Sequence, residues 1–124
     1  MIENICNVFI FVDNQENAKK FWTEKIGFEI KIDTPMQDNY SWIEVVPKTG
    51  QTTLVLYPKA LKKDFKTSDS TITFFTKDIE KTFNELSSKG VKFSKKPENT
   101  GFGIFTEFYD EDGIEGIYYD FENN

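Results

Sequence analysis

Two stretches of the sequence repeat the same order of apolar, polar and glycine residues. The first begins with VFIFV at residues 8–12, continues with apolar side chains at helical spacing, and reaches Gly27 before the apolar run FEIKI. The second begins with ITFFT at residues 72–76 and follows the same course to Gly90 and VKF. Short apolar runs of this kind indicate strands, and glycine commonly ends a helix. A chain that repeats a whole strand–helix–strand unit is restricted to folds built from two similar modules.

Each half continues with two further apolar runs. These runs are residues 41–46 and 52–57 in the first half, and 103–109 and 116–121 in the second. Both halves therefore predict the order strand, helix, strand, strand, strand, which places the chain in the α+β class. The length of 124 residues suits a single domain over residues 1–124. We expect module 1 to span residues 1–60 and module 2 to span residues 68–124, joined by a polar linker.

Both predicted helices have an acidic residue where they begin. Asp13 and Glu16 have the spacing of a capping box, which predicts that the first helix begins at Asp13. Asp78 directly precedes apolar residues at helical intervals and is predicted to begin the second helix. Trp22 lies on the apolar stripe of the first helix, so we expect it in the core.

The charge and the cysteine count exclude several classes of protein. The formal net charge is −6, and an acidic surface repels phosphate, so we expect no nucleic-acid partner. Cys6 is the only cysteine, so no internal disulfide can form, and nothing indicates an oxidising compartment. No apolar segment is long enough to cross a bilayer, and the first residues lack the pattern of a signal peptide. We therefore predict a cytoplasmic protein without a membrane partner.

The sequence contains no histidine at all. This absence removes histidine general-base catalysis, the serine–histidine–aspartate triad and every histidine metal ligand. Carboxylate, tyrosine, lysine or threonine chemistry remains, as does binding without chemistry.

Two motifs at opposite ends of the chain resemble those of one known superfamily. The opening NVFIFVDNQENAKKFWTEKIGFEI and the closing FYDEDGIEGIYY are similar to the glyoxalase/bleomycin resistance protein/dioxygenase superfamily, also called vicinal oxygen chelate proteins. Glu111 stands where the closing turn of the superfamily usually has proline. The resemblance implies two βαβββ modules that form a curved mixed sheet around one cavity, with the helices outside.

The alternation of side chains along the strands agrees with this implied fold. Val8, Ile10 and Val12 are uniformly aliphatic, as expected for a sheet face covered by a helix. The opposite face of the same strand carries Phe9 and Phe11, and the equivalent faces of other strands mix polar and aromatic residues. Such a mixture is typical of a ligand pocket. The core-only alternative, in which the phenylalanines serve packing alone, stays open.

The resemblance also implies a divalent metal, with histidine or glutamate ligands at four positions. These positions correspond to Asn7, Val55, Thr71 and Ile117 in this sequence. Two of these residues are aliphatic and two are neutral and weak ligands, whereas transition metals require imidazole, thiolate or carboxylate. We therefore predict that the usual metal site is absent and that no cofactor is bound. Glu44 and Glu107 are two carboxylates that can still approach the cavity, although scattered carboxylates more often lie on the solvated surface.

The residues that we expect to line the cavity come from both modules. We assign Trp42 and Glu44 to it because Ile43 between them has the character of the covered face; a half-buried strand aromatic is the alternative for Trp42. Glu115 is expected at the cavity mouth, two residues from the inward Ile117. The predicted ligand-binding residues are Asn7, Phe9, Trp42, Glu44, Val55, Tyr57, Thr71, Thr73, Phe75, Glu115, Ile117 and Tyr119.

Three hypotheses about function follow. The first is a metal-free protein, of the drug-sequestering kind known in the superfamily, that binds an aromatic or cationic small organic molecule. The second is a lyase, isomerase or dioxygenase-like enzyme with a non-standard site, in which Glu44, Glu115 or a tyrosine acts as acid or base. The third is an accessory domain whose cavity is filled by its own side chains. We also expect a homodimer, because members of the superfamily commonly complete their binding crevices by pairing chains.

Overall fold

The computed structural model describes residues 1–62, 72–99, 103–112 and 115–120; for Thr73 and residues 115–120 it describes the backbone alone. The chain divides into two compact units, Met1–Lys66 and Thr67–Asn124. We refer to them as module 1 and module 2. No helix in the described residues is long and apolar enough to cross a membrane.

Module 1 is a four-stranded mixed sheet with one helical segment. Its elements are β1 (Asn7–Val12), α1 (Gln15–Lys20), a π-helical turn (Phe21–Lys25), β2 (Glu29–Pro35), β3 (Ser41–Val46) and β4 (Thr53–Pro58), with short 3₁₀ turns at Gln37–Asn39 and Lys59–Leu61. The strand order is β1-β4-β3-β2. β1 and β4 are parallel, whereas β3 is antiparallel to both β4 and β2.

Module 2 repeats this topology. Its elements are β5 (Ile72–Thr76), α2 (Ile79–Ser88), β6 (Glu98–Asn99), β7 (Ile104–Tyr109) and β8 (Glu115–Asp120). The strand order is β5-β8-β7-β6, with β5 and β8 parallel and the other pairs antiparallel. The predicted α+β class and the βαβββ order of both halves are therefore confirmed.

The predicted beginning of the first helix is wrong by one residue. The N-cap of α1 is Asn14, whose side chain accepts a hydrogen bond of 2.9 Å from the Asn17 backbone N–H. Asp13 instead forms an ion pair of 3.2 Å with Lys59. The prediction for the second helix is correct, since Asp78 accepts a hydrogen bond of 3.0 Å from the Lys81 backbone N–H.

The predicted strand at VKF is reduced to one isolated bridge between Phe93 and Phe108. The backbone hydrogen bonds of this segment run from Tyr109 N to Lys92 O and from Ser94 N to Glu107 O, after which the chain bends away. The ladder resumes at β6, where Glu98 and Asn99 pair with Phe105 and Ile104. Three residues are too few for a strand when a bend follows at once.

One face of the module 1 sheet is covered by α1 and forms the core. The buried side chains are Ile10, Val12, Ala18, Phe21, Trp22, Ile43, Val45, Leu54 and Leu56. Their positions follow the alternation predicted for a helix-covered face, and Trp22 is in the core as predicted. Gly27, with a φ of 91°, ends the helical segment in a conformation that favours glycine.

Gln15 joins the first turn of α1 to the sheet beneath it. Its side-chain amide donates hydrogen bonds to the carbonyl oxygens of Ser41 (2.6 Å) and Leu56 (2.8 Å) and accepts one from the Ser41 backbone N–H (3.0 Å). These bonds give partners to the N–H and carbonyl of Ser41 and to the carbonyl of Leu56. They hold the start of β3 beside the end of β4. Ser41 directly precedes Trp42, so Gln15 helps to position the site described below.

Candidate ligand-binding site

Four aromatic side chains cluster on the sheet face of module 1 that lies opposite the core. Phe9 and Phe11 come from β1, Trp42 from β3 and Tyr57 from β4. The ring centroid of Phe9 lies 5.6 Å from that of Trp42 and 5.5 Å from that of Tyr57. Phe11 and Trp42 each lie 6.1 Å from Tyr57, in edge-to-face geometry. We call these four residues the aromatic face.

The strand register explains why these rings meet. Phe11 is the cross-strand partner of Tyr57, and Phe9 is the partner of Val55. Val55 is in turn the partner of Glu44 on the next strand. Residues two apart on a strand share a face, so these pairings place aromatic side chains of three strands on one surface.

The aromatic face is only partly covered by the protein. Phe9 is 40% exposed, whereas its neighbour Ile10 on the core side is 3% exposed. Phe11, Trp42 and Tyr57 are half-buried. A contiguous surface of large apolar rings is unusual on a soluble domain and typically marks a binding site.

A buried carboxylate is bonded to one of these aromatic side chains. Glu44 is 9% exposed. The Trp42 indole N–H donates a hydrogen bond of 2.7 Å to Glu44 Oε2, and the Thr53 hydroxyl donates one of 2.8 Å to Glu44 Oε1. Both donors are neutral, and Glu44 takes part in no ion pair with the residues that the structure describes. The carboxylate is therefore held in one orientation, without a cation beside it from the described part of the chain.

Two further residues border the aromatic face. Asn7 is half-buried at the start of β1, opposite Thr53, and its amide contacts the Cys6 sulfur at 3.9 Å. The Lys62 ammonium lies 4.0 Å from the ring centroid of Phe11, a cation–π contact. Sequence analysis did not identify Lys62, because it follows the last strand of module 1 and no periodic pattern includes it.

Six predicted residues belong to module 2, and the structure describes them less fully. Phe75 on β5 is 59% exposed. The backbone register places Phe75 opposite Tyr119 and Thr73 opposite Ile117, and it places Glu115 opposite Tyr109. Thr71 lies outside the described residues, as do the side chains of Thr73, Glu115, Ile117 and Tyr119. Their predicted role in binding stays a prediction.

The two modules place a glutamate at the same point of their sheets. Glu44 is the cross-strand partner of Val55 in module 1, and Glu107 is the partner of Ile117 in module 2. Glu107 accepts a hydrogen bond of 3.2 Å from the Ser94 hydroxyl and is half-buried. Of these two glutamates, Glu44 is the one that is buried and bonded to an aromatic side chain, so module 1 has the more specialised site.

A concavity lies elsewhere in module 1, at the N-terminal end of α1. It has a volume of about 230 Å³ and is lined by Asp13, Asn14, Gln15, Glu16, Asn39, Tyr40, Ser41 and Ile43. Its one deeply placed amide, that of Gln15, is already bonded to the backbone. The carboxylates of Asp13 and Glu16 are mostly exposed. The aromatic face is therefore the better candidate for a specific ligand site.

Comparison with known proteins agrees with this architecture. The sequence pattern of the Glyoxalase/Bleomycin resistance protein/Dioxygenase superfamily matches residues 4–115. The chain belongs to this superfamily. It is 43% identical to the protein YetH of Bacillus subtilis over 113 residues, which cover 91% of this chain and 94% of YetH.

Solved structures of superfamily members have the same fold. A glyoxalase/bleomycin resistance protein/dioxygenase superfamily member from Sphaerobacter thermophilus superimposes with a TM-score of 0.87 at 29% identity, covering 96% of this chain and 98% of that one. TnmS3, an antibiotic binding protein from a Streptomyces species, superimposes with a TM-score of 0.78 at 28% identity, covering 96% of each chain.

The metal that the superfamily implies does not fit the residues at the corresponding positions. Val55 offers only a fully buried aliphatic side chain, and Ile117 is likewise without a donor atom. Asn7 presents a neutral amide beside Cys6. Across the described residues, no group of three or more histidine, cysteine, aspartate or glutamate side chains is arranged to hold a metal ion. Glu44 is the cross-strand partner of Val55, one strand away.

Proposed function

We propose that this protein is a metal-free binding protein for a flat organic molecule, aromatic or cationic, which it holds against the aromatic face. The observation that carries the proposal is the cluster of Phe9, Phe11, Trp42 and Tyr57, together with the buried carboxylate of Glu44 that is bonded to the Trp42 indole. Aromatic walls favour stacking on flat groups, and their π-faces attract cations. The likeness to TnmS3, named as an antibiotic binding protein, supports a binding role.

The absence of anion-binding features supports the same ligand class. No glycine-rich phosphate loop is present in the sequence, and the formal net charge is −6. Glu44 adds negative charge to the aromatic face itself. Lys62 is the cation at its border, and it contacts the ring of Phe11. A phosphorylated metabolite would therefore meet more repulsion than attraction on this surface.

Tryptophan fluorescence provides the test. The chain has two tryptophans, Trp42 on the aromatic face and Trp22 in the core. The protein is titrated with aromatic cations, glycopeptide drugs, thiol conjugates and sugar phosphates. The emission should change with the aromatic cations and the glycopeptide drugs, and not with the sugar phosphates. The change should disappear in Trp42→Phe and persist in the matched control Trp22→Phe. Binding by sugar phosphates alone, or a response that follows Trp22, would contradict the proposal.

An enzymatic role is the second candidate. The setting of Glu44 favours this residue as the general acid or base of such an enzyme. A carboxylate held by two donors at the edge of an aromatic surface is suited to act as a general acid or base on a bound substrate. Mass spectrometry of each binding molecule after incubation distinguishes the two roles. A product that the wild type forms and Glu44→Gln does not would establish the enzyme; unchanged molecules support binding alone.

We further propose that the protein is a homodimer. β2 is one of the two outer strands of the module 1 sheet, and six of its seven residues are exposed. Exposed edge strands are commonly covered by pairing of subunits. Light scattering over a range of concentrations should give twice the chain mass of 14.5 kDa. A mass equal to that of one chain at every concentration would contradict the dimer.

A further inference from the structure

The residues that the structure describes use only half of the hydrogen-bonding capacity of the Glu44 carboxylate. Two carboxylate oxygens together offer about four acceptor sites. Trp42 Nε1 occupies one site on Oε2, and the Thr53 hydroxyl occupies one on Oε1. Each oxygen therefore keeps one acceptor site that no described residue occupies. Because Glu44 lies on the same strand face as Trp42, these sites belong to the aromatic surface and not to the α1 core.

The negative charge of Glu44 also lacks a cationic partner among the described residues. Buried carboxylates are normally paired with a cation, because burial removes the hydration of the charged form. The two partners of Glu44 are an indole and a hydroxyl, and both are neutral. Lys62, a described lysine at the border of the aromatic face, contacts the ring of Phe11. A ligand that brings a positive charge to Glu44 supplies the missing partner.

Trp42 and Thr53 also restrict how a ligand can approach. The only hydrogen-bond donor of the Trp42 ring is committed to Glu44, so a ligand meets the π-surface of this residue. Thr53 is 1% exposed and is a positioning residue that acts through Glu44. The carboxylate is thus the one strong polar group that Trp42, Thr53 and Glu44 together present to a ligand on the aromatic face.

We infer that Glu44 selects flat ligands whose positive charge is carried by a nitrogen with N–H groups, such as a protonated amine or an amidinium, over quaternary ammonium ions and neutral analogues. The inference rests on the proposed function of the aromatic face. An N–H cation donates charge-assisted hydrogen bonds to the free acceptor sites, which are among the strongest in proteins. A quaternary ammonium ion keeps the charge and the cation–π attraction but cannot donate, and a neutral alcohol loses the charge.

Three matched naphthalene derivatives test the inference by titration calorimetry. They are naphthylmethylamine, its trimethylammonium analogue and naphthylmethanol, each measured at neutral pH with the wild type, Glu44→Gln and Glu24→Gln. Glu24 is exposed on the helical segment and controls for the change of net charge. We expect the wild type to bind the amine about tenfold more tightly than either analogue. Glu44→Gln should lose the preference for the amine and keep its affinity for the alcohol. Glu24→Gln should retain the preference for the amine.

The outcomes separate the inference from the proposed function. Equal affinity of the wild type for all three probes, or an amine preference that survives Glu44→Gln, overturns the inference and leaves the aromatic face as a binding site. If Glu44→Gln loses binding of the alcohol as well as of the amine, Glu44 has a structural role. This result also overturns the inference. Failure of all three probes to bind the wild type overturns both.

Discussion

Trp42 and Glu44 lie two residues apart on the same face of β3, and the indole N–H of Trp42 donates a hydrogen bond of 2.7 Å to Glu44 Oε2. This bond joins the aromatic part of the candidate site to its charged part. The carboxylate is oriented by the ring beside it, and the ring presents its π-surface because its donor is occupied. One strand therefore supplies both features by which the site is expected to recognise a ligand.

The first prediction concerns the other hydrogen bond of Glu44. Thr53→Val keeps the shape of the side chain and removes the donor to Glu44 Oε1, at a position that is 1% exposed. We expect the free energy of unfolding to fall by about 1–3 kcal/mol, because a buried carboxylate loses one of its two partners. Urea denaturation measures the loss.

A double-mutant cycle makes this prediction specific. The same Thr53→Val change in a Glu44→Gln background should cost about 1 kcal/mol less, since a neutral amide tolerates the lost hydrogen bond better than a carboxylate does. Equal losses in both backgrounds would show that the Thr53 hydroxyl does not act through Glu44.

The second prediction separates the aromatic face from the core behind it. Phe9→Ala removes a ring that is 40% exposed and should cost about 1–2 kcal/mol of stability while weakening the binding of naphthylmethanol about fivefold. Ile10→Ala changes the adjacent, 3% exposed residue and should cost about 2–5 kcal/mol. Because Ile10 faces α1, the affinity of the folded Ile10→Ala protein should be unchanged. Calorimetry and urea denaturation of both variants check the contrast, and the reverse pattern would contradict it.

The third prediction concerns Gln15, which sequence analysis did not identify. Gln15→Ala leaves the Ser41 N–H and two backbone carbonyls without their partner, so we expect a loss of about 1–3 kcal/mol of stability. Gln15→Glu serves as an isosteric comparison: it keeps the acceptor for Ser41 N–H but turns a second oxygen toward carbonyl oxygens, and it should destabilise at least as much. Unfolding midpoints equal to that of the wild type would show that the hydrogen bonds of Gln15 to Ser41 and Leu56 do not stabilise the fold.

The fourth prediction concerns metal. The aliphatic residues Val55 and Ile117 stand at two of the implied ligand positions, and transition metals need nitrogen, sulfur or carboxylate donors. The melting temperature should therefore be the same with and without a chelator, and the protein purified without added metal should contain no stoichiometric zinc, nickel or iron. A tightly held ion and a melting temperature that falls in chelator would contradict this prediction.

The repeated order of strands and helices was predictable from the sequence because it depends on local patterns. Apolar residues at intervals of two or of three to four decide which face of an element is buried, and glycine or an N-cap residue ends or begins it. The same alternation correctly separated Ile10 from Phe9 and Ile43 from Trp42. Where two cap residues compete, as Asp13 and Asn14 do, the local pattern is ambiguous, and the ion pair of Asp13 with Lys59 lies across the module.

The sequence by itself determined the superfamily, the α+β class and the absence of histidine, because composition and periodicity are properties of the chain alone. Only the tertiary structure decided that Thr53 reaches Glu44, that Gln15 bonds to Ser41 and Leu56, and that Lys62 lies over Phe11. The Gln15 contacts join residues 26 and 41 positions apart, so they depend on strand register and on how the helix meets the sheet. Hydrogen bonds require distances near 3 Å, and side-chain periodicity carries no information at that precision.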